Sequence, residues 1–213
     1  TSYIDFLPAA LAVHQRKRRI RFMIKAEMTD VRIVAFLIRH TGTIPVDRSA
    51  GAGSYAEAVR RLRAGDLVGV YPEATISRSF ELKEFKSGAA RMAIAADVPI
   101  IPHIVWGAQR IWTKDHPRKM WRPKVPIAVA VGEPILPTLP AEELTALLRS
   151  RMQHLLEQVQ DAYGPYPPGE FWVPRRLGGG APTLAEAAQL EAEEAAAKAA
   201  RRKGRPDATG ASG

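Results

Sequence analysis

Leu67 to Tyr71 is an apolar segment that runs directly into a polar turn, Pro72-Glu73-Ala74-Thr75-Ile76-Ser77, with helical signals on both sides. Upstream, Ser54-Tyr55-Ala56-Glu57 has the form of a capping box. In such a box the serine oxygen accepts an early backbone N–H, and the glutamate three residues on reaches back to the cap. Gly65 can take the positive φ that closes a helix. Downstream, the small residues of Gly88 to Ala96 predict a short helix. Helix, buried strand, polar turn and helix again is the pattern of an α/β fold, and strand ends of this kind are where such folds hold ligand groups.

The rest of the chain continues the alternation. Phe6 to Val13 predicts a short helix, Ile20 to Ile24 a strand, Val31 to Arg39 an apolar helix and Thr43 to Val46 a short strand. Val98 to about Trp106 and Ile127 to Val131 read as further strands, the last ending at Gly132. Pro140 suits the first position of a helix running to about Ala162. Its Leu144, Leu147, Leu148, Met152, Leu155, Leu156 and Val159 fall at helical spacing and mark a core face. These elements predict one α/β domain over residues 1–163, a central mixed β-sheet flanked by helices. Residues 164–180 are rich in Pro and Gly and predict a surface-wrapping segment. Within residues 181–213, Thr183-Leu184-Ala185-Glu186 is a second capping box. It opens a solvent-exposed charged helix to about Lys203, and Gly204 to Gly213 reads as a disordered tail.

Composition narrows the function classes. The 213 residues are 46% hydrophobic, enough for one sizeable core. Cysteine is absent, which excludes disulfides and thiolate metal sites, and no metal site is expected. No run of 18 apolar residues occurs, so no bilayer-spanning segment is predicted. The net charge of +9 favours anionic partners. It concentrates in Arg16-Lys17-Arg18-Arg19-Ile20-Arg21, and again in Lys114, Arg118, Lys119 and Arg122 beside Trp112 and Trp121. Basic residues next to indoles suit the headgroup layer of an anionic membrane surface. A nucleic-acid-binding module is the remote alternative. It lacks a recognition-helix or stacking motif, so no nucleic-acid partner is expected.

Four sequence blocks in order carry a resemblance. They are Asp5, then Gly42-Thr43-Ile44-Pro45-Val46-Asp47-Arg48, then Tyr71 to Ser77 with Phe85-Lys86-Ser87-Gly88-Ala89, then Val98-Pro99-Ile100-Ile101-Pro102. Together they resemble the glycerophospholipid acyltransferase family over roughly Thr1 to Pro134. The family's first block reads His-x-x-x-x-Asp, and its Asp matches Asp5 when a His stands immediately before Thr1. The resemblance therefore implies that the chain as numbered starts just inside its active site, without its general base, and is inactive as it stands. The third block usually reads Phe-Pro-Glu-Gly-Thr-Arg-Ser; here Ala74 replaces Gly and Ile76 replaces Arg.

The chemistry fits those residue types. An alcohol has a pKa far above 7, so an imidazole must take its proton as it attacks a thioester carbonyl. An Asp behind the imidazole holds the tautomer and favours the imidazolium. The resemblance gives that second role to Asp5. His14, His40, His103, His116 and His154 do not have the spacing to supply the base. Arg48 can make two parallel hydrogen bonds to an acceptor phosphate. Lys25 matches a frequent basic position between the first two blocks, and Gly42 lies on the second. Glu73 is expected to organise the turn or a substrate hydroxyl, beside Thr75 and Ser77. Arg78 is the nearest cation able to replace the charge missing at Ile76; otherwise it points to solvent while Ile76 packs on the sheet. Lys86 and Gly88 could present a helix N-terminus to phosphate.

The resemblance implies transfer of an acyl chain to the free hydroxyl of 1-acylglycerol 3-phosphate, giving phosphatidic acid. Acyl-CoA or acyl carrier protein would be co-substrate, with no resident cofactor. Another lysophospholipid, a glycolipid or an amino-acid lipid is the alternative acceptor. The expected location is the cytoplasmic face of the cell membrane.

Overall fold

The computed structural model describes residues 1–25, 43–46, 51–119 and 124–203. The expected helix over Val31 to Arg39, with Gly42 and Arg48, lies outside them, as do Trp121, Arg122 and the expected tail from Gly204. The chain divides into two compact units. One comprises Thr1–Ile76 and Leu82–Pro165, the other Ser77–Glu81 and the chain from Tyr166.

The first unit opens with helix α1, Phe6–His14, followed by strand β1, Ile20–Lys25. Strand β2 is Ile44–Val46, helix α2 Gly51–Arg63 and strand β3 Leu67–Gly69. β1 lies between β2 and β3 and pairs with both in parallel, with Met23 opposite Ile44 and Phe22 opposite Gly69. Parallel strands need a crossover connection, and α2 supplies the one that leads into β3. Helix α3, Gly88–Ala96, is as long as its small residues predict. Strand β4, His103–Trp106, pairs antiparallel with strand β5, Ala128–Val131. Helix α4, Ala141–Tyr163, completes the unit. The described residues thus carry parallel and antiparallel pairing in two small sheets with helices packed around them.

Two apolar clusters hold these elements. Ile44, Ala58, Val59, Met92 and Ala96 join β2, α2 and α3, with Tyr55 and Leu62 packed against them. Positions 55, 58, 59 and 62 form one helical stripe, which is why α2 buries this face and leaves Arg60 and Arg63 exposed. Ala90, Ile135, Leu144 and Leu148 form the second cluster and seat α4 on the other side of α3. The alanines of α3 allow both neighbours to approach closely.

Several boundaries differ from the sequence expectation. α2 begins at Gly51, so Ser54 lies inside the helix and does not cap it. Glu57 turns forward to Arg60 and Arg61 at 2.6 to 2.8 Å. Those guanidiniums hold its carboxyl down at about 2. Residues 98–102 are not ladder strand: Pro99 and Pro102 lack N–H donors. Only Ile100 pairs there, in a single bridge to Ile135. Pro140 occupies the N-cap of α4, one residue earlier than expected.

In the second unit, Thr183 and Glu186 form the expected reciprocal box, Thr183 N–H to Glu186 Oε2 at 2.8 Å and Glu186 N–H to Thr183 Oγ1 at 3.2 Å. It opens helix α5, Leu184–Lys203, which is exposed along most of its length but buries Ala187. Among the described residues, no helix is long and apolar enough to cross a membrane.

Candidate active site

Asp5 stands at the N-cap of α1, yet its side chain caps nothing there. It turns back to the first residues of the chain. Asp5 Oδ2 accepts from the Thr1 amino group at 2.8 Å, the Ser2 amide at 2.7 Å and Thr1 Oγ1 at 3.3 Å. The other oxygen, Oδ1, is buried with no hydrogen-bond partner among the described residues. One carboxylate oxygen accepts three hydrogen bonds and the other none, which leaves the carboxylate with unused acceptor capacity. No described histidine donates to Asp5.

The loop after β4 fixes this N-terminal segment. Ser2 Oγ and Tyr3 N–H both donate to Trp112 O, at 2.5 and 3.2 Å, and Thr113 Oγ1 donates to Thr1 O at 2.8 Å. Trp112 also packs on Tyr3, ring centroids 4.8 Å apart, and lies under the Arg118 guanidinium at 4.7 Å. The indole expected to face a headgroup layer thus has a structural task in this chain.

The third block reaches the same neighbourhood through stacked aromatic rings. Phe6 of α1 meets Phe22 of β1 edge-on at 6.2 Å, and Phe22 stacks on Tyr71 at 6.0 Å. Asp5 immediately precedes Phe6, and Glu73 lies two residues beyond Tyr71. Burial pushes the Glu73 carboxyl above its ordinary range, and the Asp5 charge pushes it further. The Thr1 ammonium, the Lys83 amide and the Lys83 ammonium partly offset this. The Asp5 charge thus acts on Glu73, 68 residues later in the sequence.

The returning segment closes the turn. Lys83 N–H donates to Glu73 Oε2 at 3.2 Å, Lys83 Nζ to Thr75 Oγ1 at 2.8 Å, and Lys86 N–H to Pro72 O at 2.9 Å. Arg149 of α4 holds that segment through the Lys83 carbonyl at 3.1 Å. Lys83 and Arg149 are site-building residues that sequence reading missed. The signal for Lys83 was its place between the two parts of the third block; for Arg149 there was none. Ala74, where the family pattern has Gly, adopts φ +60°, a conformation that glycine takes without steric cost.

The remaining expected site residues are placed differently. Lys25 ends β1, but its side chain lies outside the described residues, as do Gly42 and Arg48 altogether. Lys86 lines a surface cleft of about 870 Å³ with Glu84, Glu142, Arg149 and His154; neither Asp5 nor Glu73 lines it. Gly88 opens α3, whose N-cap Ser87 makes no side-chain cap bond. Ile76 is half-buried. Ser77 is buried and bonded to Glu81 O at 2.8 Å and Ser79 Oγ at 3.0 Å. Arg78 neither points to solvent nor stands free: it is buried and donates to Glu194 of α5 at 2.8 Å. Among the described residues, no cluster of three or more His, Asp or Glu could hold a metal.

The chain is similar to known acyltransferases. The acyltransferase family pattern matches residues 1–106. The 1-acyl-sn-glycerol-3-phosphate acyltransferase of Bacillus subtilis (strain 168) is 22% identical over 148 residues, 67% of this chain and 70% of that protein. The enzyme of that name from Limnanthes douglasii is 38% identical over 96 residues, 43% of this chain but only 33% of its own length. The crystal structure of the 1-acyl-sn-glycerophosphate acyltransferase from Thermotoga maritima superposes with a TM-score of 0.57 at 21% identity, covering 68% of this chain and 58% of that one. With its blocks in family order and the fold shared, the chain belongs to the O-acyltransferase family that includes these 1-acyl-sn-glycerol-3-phosphate acyltransferases.

Proposed function

We propose that this protein transfers an acyl chain from acyl-CoA or acyl carrier protein to the free hydroxyl of 1-acylglycerol 3-phosphate, giving phosphatidic acid. The observation that carries the reading is the Asp5 carboxylate, buried at the N-cap of α1, bonded through Oδ2 to Thr1 and Ser2 and without a hydrogen-bond partner on Oδ1 among the described residues. An imidazole on the residue before Thr1 would donate to Asp5 and take the acceptor's hydroxyl proton. The alkoxide oxygen forms a bond to the thioester carbonyl carbon, the C–S bond breaks, and the imidazolium returns its proton to the leaving thiolate. Asp5 favours the imidazolium between those two steps. Arg48 and Lys25 hold the acceptor phosphate, and Glu73 orders the turn beside it. The reaction takes place at the cytoplasmic face of an anionic membrane, where acceptor and product reside.

A second reading keeps this chemistry and changes the acceptor to another lysophospholipid, a glycolipid or an amino-acid lipid. It is favoured by Ile76 at the usual Arg position together with the Glu194 carboxylate already on Arg78. The test is thioester-dependent acylation of a panel of acceptors by the chain bearing a His before Thr1. Fastest turnover of 1-acylglycerol 3-phosphate supports the first reading, a preference for an acceptor without a phosphomonoester supports the second, and no turnover of any acceptor contradicts both.

A further inference from the structure

Helix α1 buries one side only. Ala9 is buried, whereas Leu7 and Leu11 are 49% and 64% exposed. Leu7, Leu11 and His14 are spaced four and three residues apart and share one helical stripe. The helix, Phe-Leu-Pro-Ala-Ala-Leu-Ala-Val-His, contains no Asp, Glu, Lys or Arg. Immediately past it Arg16, Lys17, Arg18 and Arg19 are all exposed. The chain folds tightly there, Arg16 N–H to Val13 O at 3.0 Å and Lys17 N–H to His14 O at 2.8 Å. The cations are thereby held against the helix's C-terminal end. Arg18 donates to Gly65 O at 2.7 Å. Arg16, Lys17 and Arg19 have no carboxylate partner among the described residues.

Two exposed leucines on a surface helix need no explanation by themselves. A charge-free helix whose exposed leucines run into four clustered cations is a different surface. It sets exposed apolar side chains beside cations, the combination that an interfacial segment presents to anionic lipid. We propose that α1 and Arg16–Arg19 form a docking face for an anionic bilayer, the leucines entering the interfacial layer and the cations meeting headgroup phosphates. The inference rests on the lipid-acceptor reading above and deepens it by naming the face. A second copy is a poor occupant: a two-fold contact through this face would set the same four cations against themselves. Docking here has a consequence for catalysis. Asp5 adjoins the N-terminal end of α1, and nine helical residues span about 14 Å. The buried carboxylate then lies within one short helix of the surface that holds the acceptor.

The test is co-sedimentation of the 213-residue chain with vesicles of phosphatidylcholine alone or with about one-third phosphatidylglycerol. It needs no turnover, so a failed acyltransferase assay leaves its result intact, and the reverse also holds. The expected result is strong binding to the anionic vesicles, falling with salt. Leu7→Ser with Leu11→Ser should lower the partition coefficient at least about tenfold, with an unchanged thermal midpoint. Arg16→Gln with Lys17→Gln and Arg19→Gln should lower it by at least about a hundredfold and flatten the salt dependence, since each cation near a charged surface contributes roughly fivefold. Equal partitioning of the parent and both variants, or a parent whose Leu7/Leu11 variant differs only by losing a dimer in sedimentation, would overturn the proposal.

Discussion

Phe22 stands opposite Gly69 in the β1–β3 ladder, and a Cβ added at position 69 would meet Phe22 Cδ1 and Ile20 Cγ2 at 2.6 Å each. The same Phe22 ring stacks on Tyr71, so the ring that lies over Gly69 is also the contact between β1 and the third block. Gly69→Ala should therefore cost about 1–3 kcal/mol by overpacking. The effect should appear as a lower midpoint in urea at unchanged m. Unchanged stability would mean that this contact relaxes freely.

Glu73 gives a pH signature. Burial raises its folded carboxyl above the ordinary 4.5, so the folded state holds the proton over a window where the unfolded chain has released it. Stability then falls as pH rises from about 4.5 through the raised value. Glu73→Gln, which keeps an acceptor for the Lys83 amide, should raise the thermal midpoint at pH 7 to 8 relative to the parent. The difference should vanish near pH 4. A constant difference at both pH values would contradict the assignment.

Ala74 tests the departure from the family pattern. At φ +60° an alanine is strained by roughly 1–2 kcal/mol, part of which a glycine returns as unfolded-state entropy. Ala74→Gly should leave the thermal midpoint equal or higher, by up to about 1 kcal/mol in stability. A clear loss of stability would show that the Cβ is packed to advantage.

Local signals were legible and distant ones were not. α3 and the Thr183–Glu186 cap followed from residues within one helical turn, and the structure has both. The Ser54 box has the same pattern of hydroxyl and glutamate, but Arg60 and Arg61 compete for Glu57 from three and four residues downstream, and two guanidiniums outweigh one backbone N–H. Leu67 to Tyr71 read as one strand, yet Gly69 is its last paired residue. The Asp5–Glu73 neighbourhood was legible only through the order of the blocks. The partner of Arg78 was beyond any local pattern, because Glu194 lies 116 residues away.

Arg78 and Arg48 divide the acceptor question. Arg78→Ala should lower the thermal midpoint by the loss of a buried stem and its pair, roughly 1–3 kcal/mol. Glu194→Gln, at a half-exposed carboxylate, should change it little. Neither should raise KM for the acceptor. Arg48→Ala should raise acceptor KM by about 10- to 150-fold, the equivalent of a charge-assisted pair of roughly 1.5–3 kcal/mol. Arg48→Lys should recover only part, because the two-pronged geometry is lost. A raised acceptor KM in Arg78→Ala would return Arg78 to the phosphate.

In the proposed reaction Asp5 holds the imidazole that takes the acceptor's hydroxyl proton. The most direct measurement is the rate of thiol release from acyl-CoA with 1-acylglycerol 3-phosphate. It should be compared across the 213-residue chain, the chain with a His added before Thr1, and that extended chain carrying Asp5→Asn. The His should raise turnover by about 10² to 10⁴, the usual contribution of a general base. Asp5→Asn should remove most of that gain with little change in thermal midpoint. Equal rates with and without the His, or an Asp5→Asn variant as fast as its parent, would contradict the account.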